Sequence, residues 1–167
     1  MTGQQSLEFA LRFLHMVGAA GLLGGIVFMR FGLWPALTGV NPEERERVFG
    51  SAARKYAPWV GVFAACVLIS GIYNMIGASR FSFPGKYYNA VVGVKLIIGI
   101  GVIGLFSILC GRTALAEKFR RNAAMWLDLC LVLTLAIVLM GGLLRIAERV
   151  EKAPNASTVK PSPGEQG

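Results

Sequence analysis

The amino-acid sequence predicts an all-α polytopic membrane protein built as a four-transmembrane-helix bundle. Three observations carry that prediction. Of 167 residues, 54% are hydrophobic and only 16% are charged, whereas a soluble domain carries about a quarter of its residues as charges. The charges fall in a few patches between long apolar runs, the pattern a bilayer core demands. Four such runs occur, each near the ~20 residues that span a hydrocarbon core. They are helices by exclusion, since isolated strands would leave backbone groups unpaired in lipid.

Residues 1–6 are a short N-terminal segment. The first span covers about 7–37, with an uninterrupted apolar stretch from Phe13 to Met29 between Arg12 and Arg30. No Lys or Arg precedes it and no good cleavage site follows, so it reads as a retained helix rather than a signal peptide. Trp34 and Pro35 mark its far end, as interface aromatics and helix stops do. The connection 38–56 contains Asn41-Pro42-Glu43, a helix start, and is expected to form a short surface helix. Pro58 and Trp59 open the second span, about 57–77. The next connection turns at Pro84-Gly85. The third span covers about 88–111, the basic connection 112–124 follows, and the fourth span covers about 125–144. Together these elements form one transmembrane domain over 7–145. Residues 146–167 form a polar C-terminal tail, rich in Pro, Ser and Gly from about Lys152, with the composition of a disordered segment. Asn155-Ala156-Ser157 fits a glycosylation pattern that chance explains in such a tail.

The formal net charge is +8. Lys and Arg flank the spans rather than forming one stripe, which favours the lipid bilayer as partner over nucleic acid. The connections 38–56 and 112–124 hold Arg45, Arg47, Arg54, Lys55, Arg112, Lys118, Arg120 and Arg121. The positive-inside rule puts both in the cytoplasm and both termini outside, in a multi-pass protein of the cell inner (plasma) membrane. Cys66, Cys110 and Cys130 are odd in number and form no CxxC pair. They read as small apolar residues rather than as a disulfide or zinc framework.

Ionisable groups within a span are costly and point to function. Here they are His15, Lys95 and Asp128, with Arg12, Arg30, Arg112 and Arg145 near span ends. At ~1.5 Å rise per residue, His15 and Lys95 sit at similar depth in the half nearest the termini. Arg12 lies one turn from His15. Tyr73, Asn74, Met75, Met140 and Arg145 reach the same half from spans two and four, so these groups are expected to converge on one cavity. Asp128 lies in the other half, at the level of Arg30 and Arg112. It reads as half of a helix-locking ion pair or, alternatively, as part of a proton relay. His15, the sole histidine, is a candidate ligand for haem iron or copper, or a proton carrier, or a hydrogen-bonded packing residue. Met75 and Met140 join it as candidate metal ligands, since thioethers and imidazole suit copper(I). Lys95 either reaches the interface or binds a carboxylate in a cavity. Gly21 and Gly25 form a GxxxG pair, Ala20 and Gly24 a second small pair. With Gly93, Gly99, Gly101 and Gly104 they predict close packing of spans one and three, or a groove for a flat cofactor. No catalytic constellation is legible, which leaves the enzyme class open and puts the non-enzymatic reading ahead.

The stretch LRFLHMVGAAGLLGGIVFMRFGLWPAL resembles the opening helix of the CopD-like copper-resistance membrane proteins. RKYAPWVGVFAACVLISGIYNMI resembles their second helix and YYNAVVGVKLIIGIGVIGLFSILCGR their third. The resemblance covers about residues 9–145, with His15, Gly24-Gly25, Gly71, Lys95-Leu96 and Arg112 as its specific part. Leu22-Leu23 stands where that family often has Trp before Gly-Gly, and further histidines are absent. More distantly the plan is similar to HemJ-type membrane proteins, with an early His implicated in haem b binding and an early Lys in the third helix. The resemblance implies copper (metal-ion) handling or haem b binding. His15 would then be the ligand, and Lys95 and Arg12 would neutralise anionic groups such as haem propionates. A haem-containing membrane oxidoreductase is the enzymatic alternative. A structural subunit of a membrane complex, contacting neighbouring subunits or further copies of itself, is the third class.

Overall fold

The computed structural model describes residues 3–80 and 86–152, and side chains there except at 74–80, 86–90, 92 and 143–152. Six α-helices follow one another: α1 (Gly3–Val27), α2 (Trp34–Ala36), α3 (Pro42–Arg80), α4 (Lys86–Cys110), α5 (Ala114–Arg120) and α6 (Ala123–Lys152). No strand occurs among the described residues. Four helices are long and apolar enough to cross a membrane, with spans at Gly3–Ala36, Pro42–Tyr73, Gly93–Cys110 and Ala123–Gly142. The protein is therefore an all-α, multi-pass membrane bundle. Large apolar side chains such as Phe9, Met16, Phe28, Ile69, Ile97 and Leu139 stand exposed along the outside, which suits hydrocarbon rather than water as the surrounding medium.

Several boundaries differ from the sequence reading. The connection 38–56 does not hold a separate surface helix. Its residues from Pro42 onward run directly into the second span as one 39-residue helix, with Pro58 inside it. Proline costs a helix one backbone hydrogen bond, and the long apolar face after it holds α3 together regardless. The fourth span likewise continues as helix to Lys152, past the start of the expected tail at 146. The segment Leu143–Lys152 is almost free of helix breakers, so nothing in it stops the helix. The tail from 153 onward lies outside the described residues.

Between α1 and α2, Phe28–Leu33 forms a π-helical turn. The backbone N–H of Trp34 donates to the Met29 carbonyl, five residues back. Pro35, which follows at once, has no N–H to give. Widening the turn before it accommodates the lost bond. At the far side of the fold, Thr113 caps α5 by accepting from the Ala116 N–H at 3.3 Å.

Around the bundle α1 packs on α3, α3 on α4, and α4 on α6, while α6 closes on α1. The tightest seam is α1 against α3. A Cβ built at Gly18 would lie 2.9 Å from the Phe63 carbonyl oxygen and 2.9 Å from the Val67 side chain. One at Gly21 would meet the Phe63 ring at 2.7 Å, and one at Gly25 would overlap Tyr56. These glycines lie at i, i+3 and i+7 on one face. The Tyr56 hydroxyl spans the seam and donates to the Gly21 carbonyl at 2.7 Å. The glycine face of span one thus serves span two, and not span three as the spacing was read to predict. Gly93, Gly99, Gly101 and Gly104 would meet nothing within 4 Å, nor would Gly24. Spacing shows that a helix permits close approach but does not name its partner; the short 37–41 connection makes spans one and two antiparallel neighbours.

The buried core lies mainly in the half of the bundle nearer α5. Ile26, Phe49, Val60, Phe106, Leu109, Leu127, Cys110 and Cys130 are all but inaccessible. The three cysteines are free thiols.

Replacing Gly18 by Leu is expected to destabilise the detergent-solubilised protein by ~1–3 kcal/mol through overpacking. Gly24→Leu, on an open face, is expected to change stability by less than about 0.5 kcal/mol. Thermal unfolding followed by circular dichroism checks the pair; equal effects would show that α1 does not seat on α3 through Gly18.

Candidate functional site

His15 lies on α1, half-buried, with its ring turned toward α3. Its Nδ1 is 2.9 Å from the Ser70 hydroxyl oxygen. That hydroxyl lies 2.5 Å from the Cys66 carbonyl, one turn back on α3, and 3.2 Å from the Val67 carbonyl. Ser70 has one proton, and the Cys66 carbonyl takes it. Its oxygen is then the acceptor for His15, so Nδ1 carries the imidazole proton. Nε2 is left with a free lone pair and no hydrogen bond among the described residues. Ser70 is fully buried. Placing it there is economical only because both of its bonding directions are used.

The residue after Ser70 is Gly71. A Cβ at Gly71 would sit 3.8 Å from His15 Cε1, so the ring edge rests over bare backbone. Lys95, half-buried on α4, extends its Nζ toward α6, to 3.1 Å from where a Cβ on Gly141 would stand. The imidazole of α1 thus rests against α3 at Gly71, and the ammonium of α4 against α6 at Gly141.

The other residues singled out from sequence are placed as follows. Arg12 is exposed, and among the described residues no hydrogen bond or ion pair ties it to His15. The i, i+3 spacing puts the two residues on adjoining faces, and the His15 ring turns inward while Arg12 stays outside. Met140 is half-buried on α6, and Met16 is 68% exposed. Tyr73 is 37% exposed. The side chains of Asn74, Met75 and Arg145 lie outside the described residues. No group of three or more His, Cys, Asp or Glu side chains able to hold a metal ion occurs among the described residues. Sequence reading missed Ser70. Its signal was present, a polar residue buried in an apolar run one turn after Cys66, but its partnership with His15 required knowing which faces of α1 and α3 meet.

At the other end Arg30 and Asp128 form the expected ion pair. Arg30 Nε is 2.5 Å from Asp128 Oδ1 and Nη2 is 3.0 Å from Oδ2. This bidentate fork ties the π-helical turn to α6. Arg30 also lies over the Phe31 ring, 5.3 Å from its centroid. The pair's side chains are 25% and 47% exposed. Arg112, the other candidate partner, is exposed.

No protein-family model, no curated protein and no solved structure matches this chain.

Because a lone charge facing lipid costs more than a matched apolar pair, Asp128→Leu alone is expected to destabilise the protein by roughly 2 kcal/mol or more. The double variant Arg30→Leu/Asp128→Leu is expected to recover most of that loss. Thermal unfolding of both variants in the same detergent checks this; a double variant less stable than the single one would mean that the fork itself holds the helices.

Proposed function

We propose that this chain is a CopD-like integral membrane protein that binds haem b, which His15 would hold through Nε2. The observation that carries the reading is the fixed imidazole. Ligating histidines commonly donate their second ring nitrogen to an oxygen that sets tautomer and orientation, and Ser70 is in that position for His15. Haem suits the donor set better than copper does. A porphyrin brings four nitrogens of its own and asks one imidazole of the protein. Copper(I) needs several protein ligands, and the described residues near His15 offer no second imidazole or thiolate cluster. When bound, haem would supply one-electron chemistry. Lys95 would hold an anionic group on it, a role suited to a propionate. The resemblance to HemJ-type proteins, through an early His and an early Lys, supports the same assignment.

The membrane is the bacterial inner membrane in this reading. The connections 38–56 and 112–124 face the cytoplasm because they carry the larger share of Lys and Arg. A cysteine introduced at Ser162, in the tail, is then expected to react with an impermeant maleimide on intact spheroplasts. Labelling only after lysis would reverse the orientation.

Detergent-purified protein, produced with haem supplied, is expected to show a Soret band that His15→Ala abolishes. Ser70→Ala frees the ring to turn and is expected to weaken haem retention about 10-fold or more. Lys95→Met is expected to speed haem loss while leaving the iron's ligand field unchanged. A Soret band of undiminished strength in His15→Ala would remove His15 as ligand. Wild-type protein that takes up no haem on titration with haemin would overturn the reading.

A further inference from the structure

A cleft opens at the α5 end of the bundle, remote from His15. It consists of two adjoining cavities of about 310 and 270 Å³, which share Glu43, Glu46 and Arg120. Trp34 and Phe49 wall the first, and Arg121 lines it; Arg54 and Glu117 line the second. The unusual member is Arg120. It is 4% exposed, as buried as the core around it. Its Nη1 donates to the Gly111 carbonyl at 2.9 Å and to the Leu109 carbonyl at 3.4 Å, closing the end of α4. Its Nε is fully buried and has no hydrogen-bond partner. This Nε lies against the α3 backbone at Gly50, and Nη2 makes no hydrogen bond among the described residues, so the guanidinium keeps donor capacity at the cleft that an anionic acceptor fits. Leaving such a group unpaired costs far more than leaving it at the surface.

The charges around it narrow the acceptor. Arg45 is already committed to the carbonyls of Leu37, Thr38 and Val40 and to the face of Trp34, and Arg47, which also lines the second cavity, pairs with Glu44 at 4.0 Å. That leaves Arg54, Arg120 and Arg121 against Glu43, Glu46 and Glu117, and none of these six is ion-paired among the described residues. A simple anion would satisfy the arginines and be repelled by the carboxylates. A ligand that carries both signs a few ångströms apart satisfies both. The cleft borders Trp34, at the end of a membrane span, where indole rings sit at headgroup level. We infer that the cleft binds the headgroup of an aminophospholipid of the phosphatidylethanolamine class. Its phosphodiester would rest on Arg120 and Arg121, and its ammonium on Glu43 and Glu46. A phosphodiester accepts from the Arg120 Nη2 and from Arg121, and a primary ammonium offers three donors to the carboxylates. The trimethylammonium of a phosphatidylcholine offers none, and a phosphatidylglycerol has no cation to give.

Native mass spectrometry of the full chain in detergent tests this, with phosphatidylethanolamine, phosphatidylglycerol and phosphatidylcholine added in equal amounts. The wild-type protein is expected to retain phosphatidylethanolamine about 10-fold over either competitor, the scale of one charge-assisted hydrogen bond. Arg120→Gln is expected to abolish that retention. Because Arg120 also closes α4, a second variant carries the test if that one fails to fold. Glu43→Gln/Glu46→Gln alters only surface and half-buried carboxylates and is expected to fold. It should reverse the order, so that phosphatidylglycerol outcompetes phosphatidylethanolamine. Equal retention of the three lipids by wild type, or an unchanged order in Glu43→Gln/Glu46→Gln, would overturn the assignment. So would water-soluble glycerophosphoethanolamine displacing the lipid at equal concentration, since the ligand would then be a free phosphodiester rather than a membrane component.

Discussion

Hydrocarbon solvates neither a charge nor a hydrogen bond, so each polar side chain inside this bundle must find its complement within the chain or in something the chain holds. That constraint sorts the polar residues into two groups. Ser70 spends its proton on its own helix and its lone pairs on His15. Arg30 and Asp128 neutralise each other through a two-bond fork. Tyr56 finds a carbonyl across the α1–α3 seam. These groups are complete, and their work is to fix helices in register. His15 Nε2, Lys95 and the Nε edge of Arg120 are not completed by described residues. The two proposed binding sites rest on these positions, where the bundle leaves polar capacity unused.

The precision of the His15 site derives from packing some distance away from it. Gly18, Gly21 and Gly25 let α1 sink onto Phe63, Val67 and Tyr56 until side chain meets backbone. His15 lies one turn before Gly18, and Ser70 one turn after Val67, so the seam that seats the glycines also sets the separation of imidazole and hydroxyl. A looser seam would lengthen the Nδ1–Oγ bond and free the ring to rotate. The dense core near α5 anchors the same two helices at their other ends. Rigid packing in one half thus supports the placement of His15 and Ser70 in the other.

Much of this was legible in the sequence, and the reasons differ by feature. The four spans follow from apolar length alone, because a bilayer permits only helices of that length as single segments. The Asp128–Arg30 pair follows from counting rise along the spans. The partner of the glycine face was misassigned, since GxxxG records that a backbone can be approached but not by what. Helix ends were also misjudged at 42–56 and 146–152. Polarity was taken there to mean loop or tail, whereas a charged sequence continues as helix once a span has nucleated it, freely after 143 and across Gly50 and Pro58 in α3. Arg120 was read as one more basic residue of a connection. Only the fold of α5 under the end of α4 shows that its guanidinium is inside, and no periodicity in a seven-residue helix could have disclosed that.

The two unfinished sites also bear on how the bundle tolerates their cost. An unpaired cation destabilises the apo protein, and it is retained only if the bound form recovers the difference. Binding to the native state alone stabilises a fold in proportion to the logarithm of ligand excess over the dissociation constant. A lipid headgroup is present at high local concentration throughout the life of a membrane protein, so a buried arginine that relies on one is compensated continuously. Lys95 is in a different position. Half-buried among glycines, it loses less by waiting, because it can approach the membrane surface along its own aliphatic stem. On the two proposals, a constitutive partner fits the fully buried guanidinium, and an occasional one fits the imidazole and ammonium.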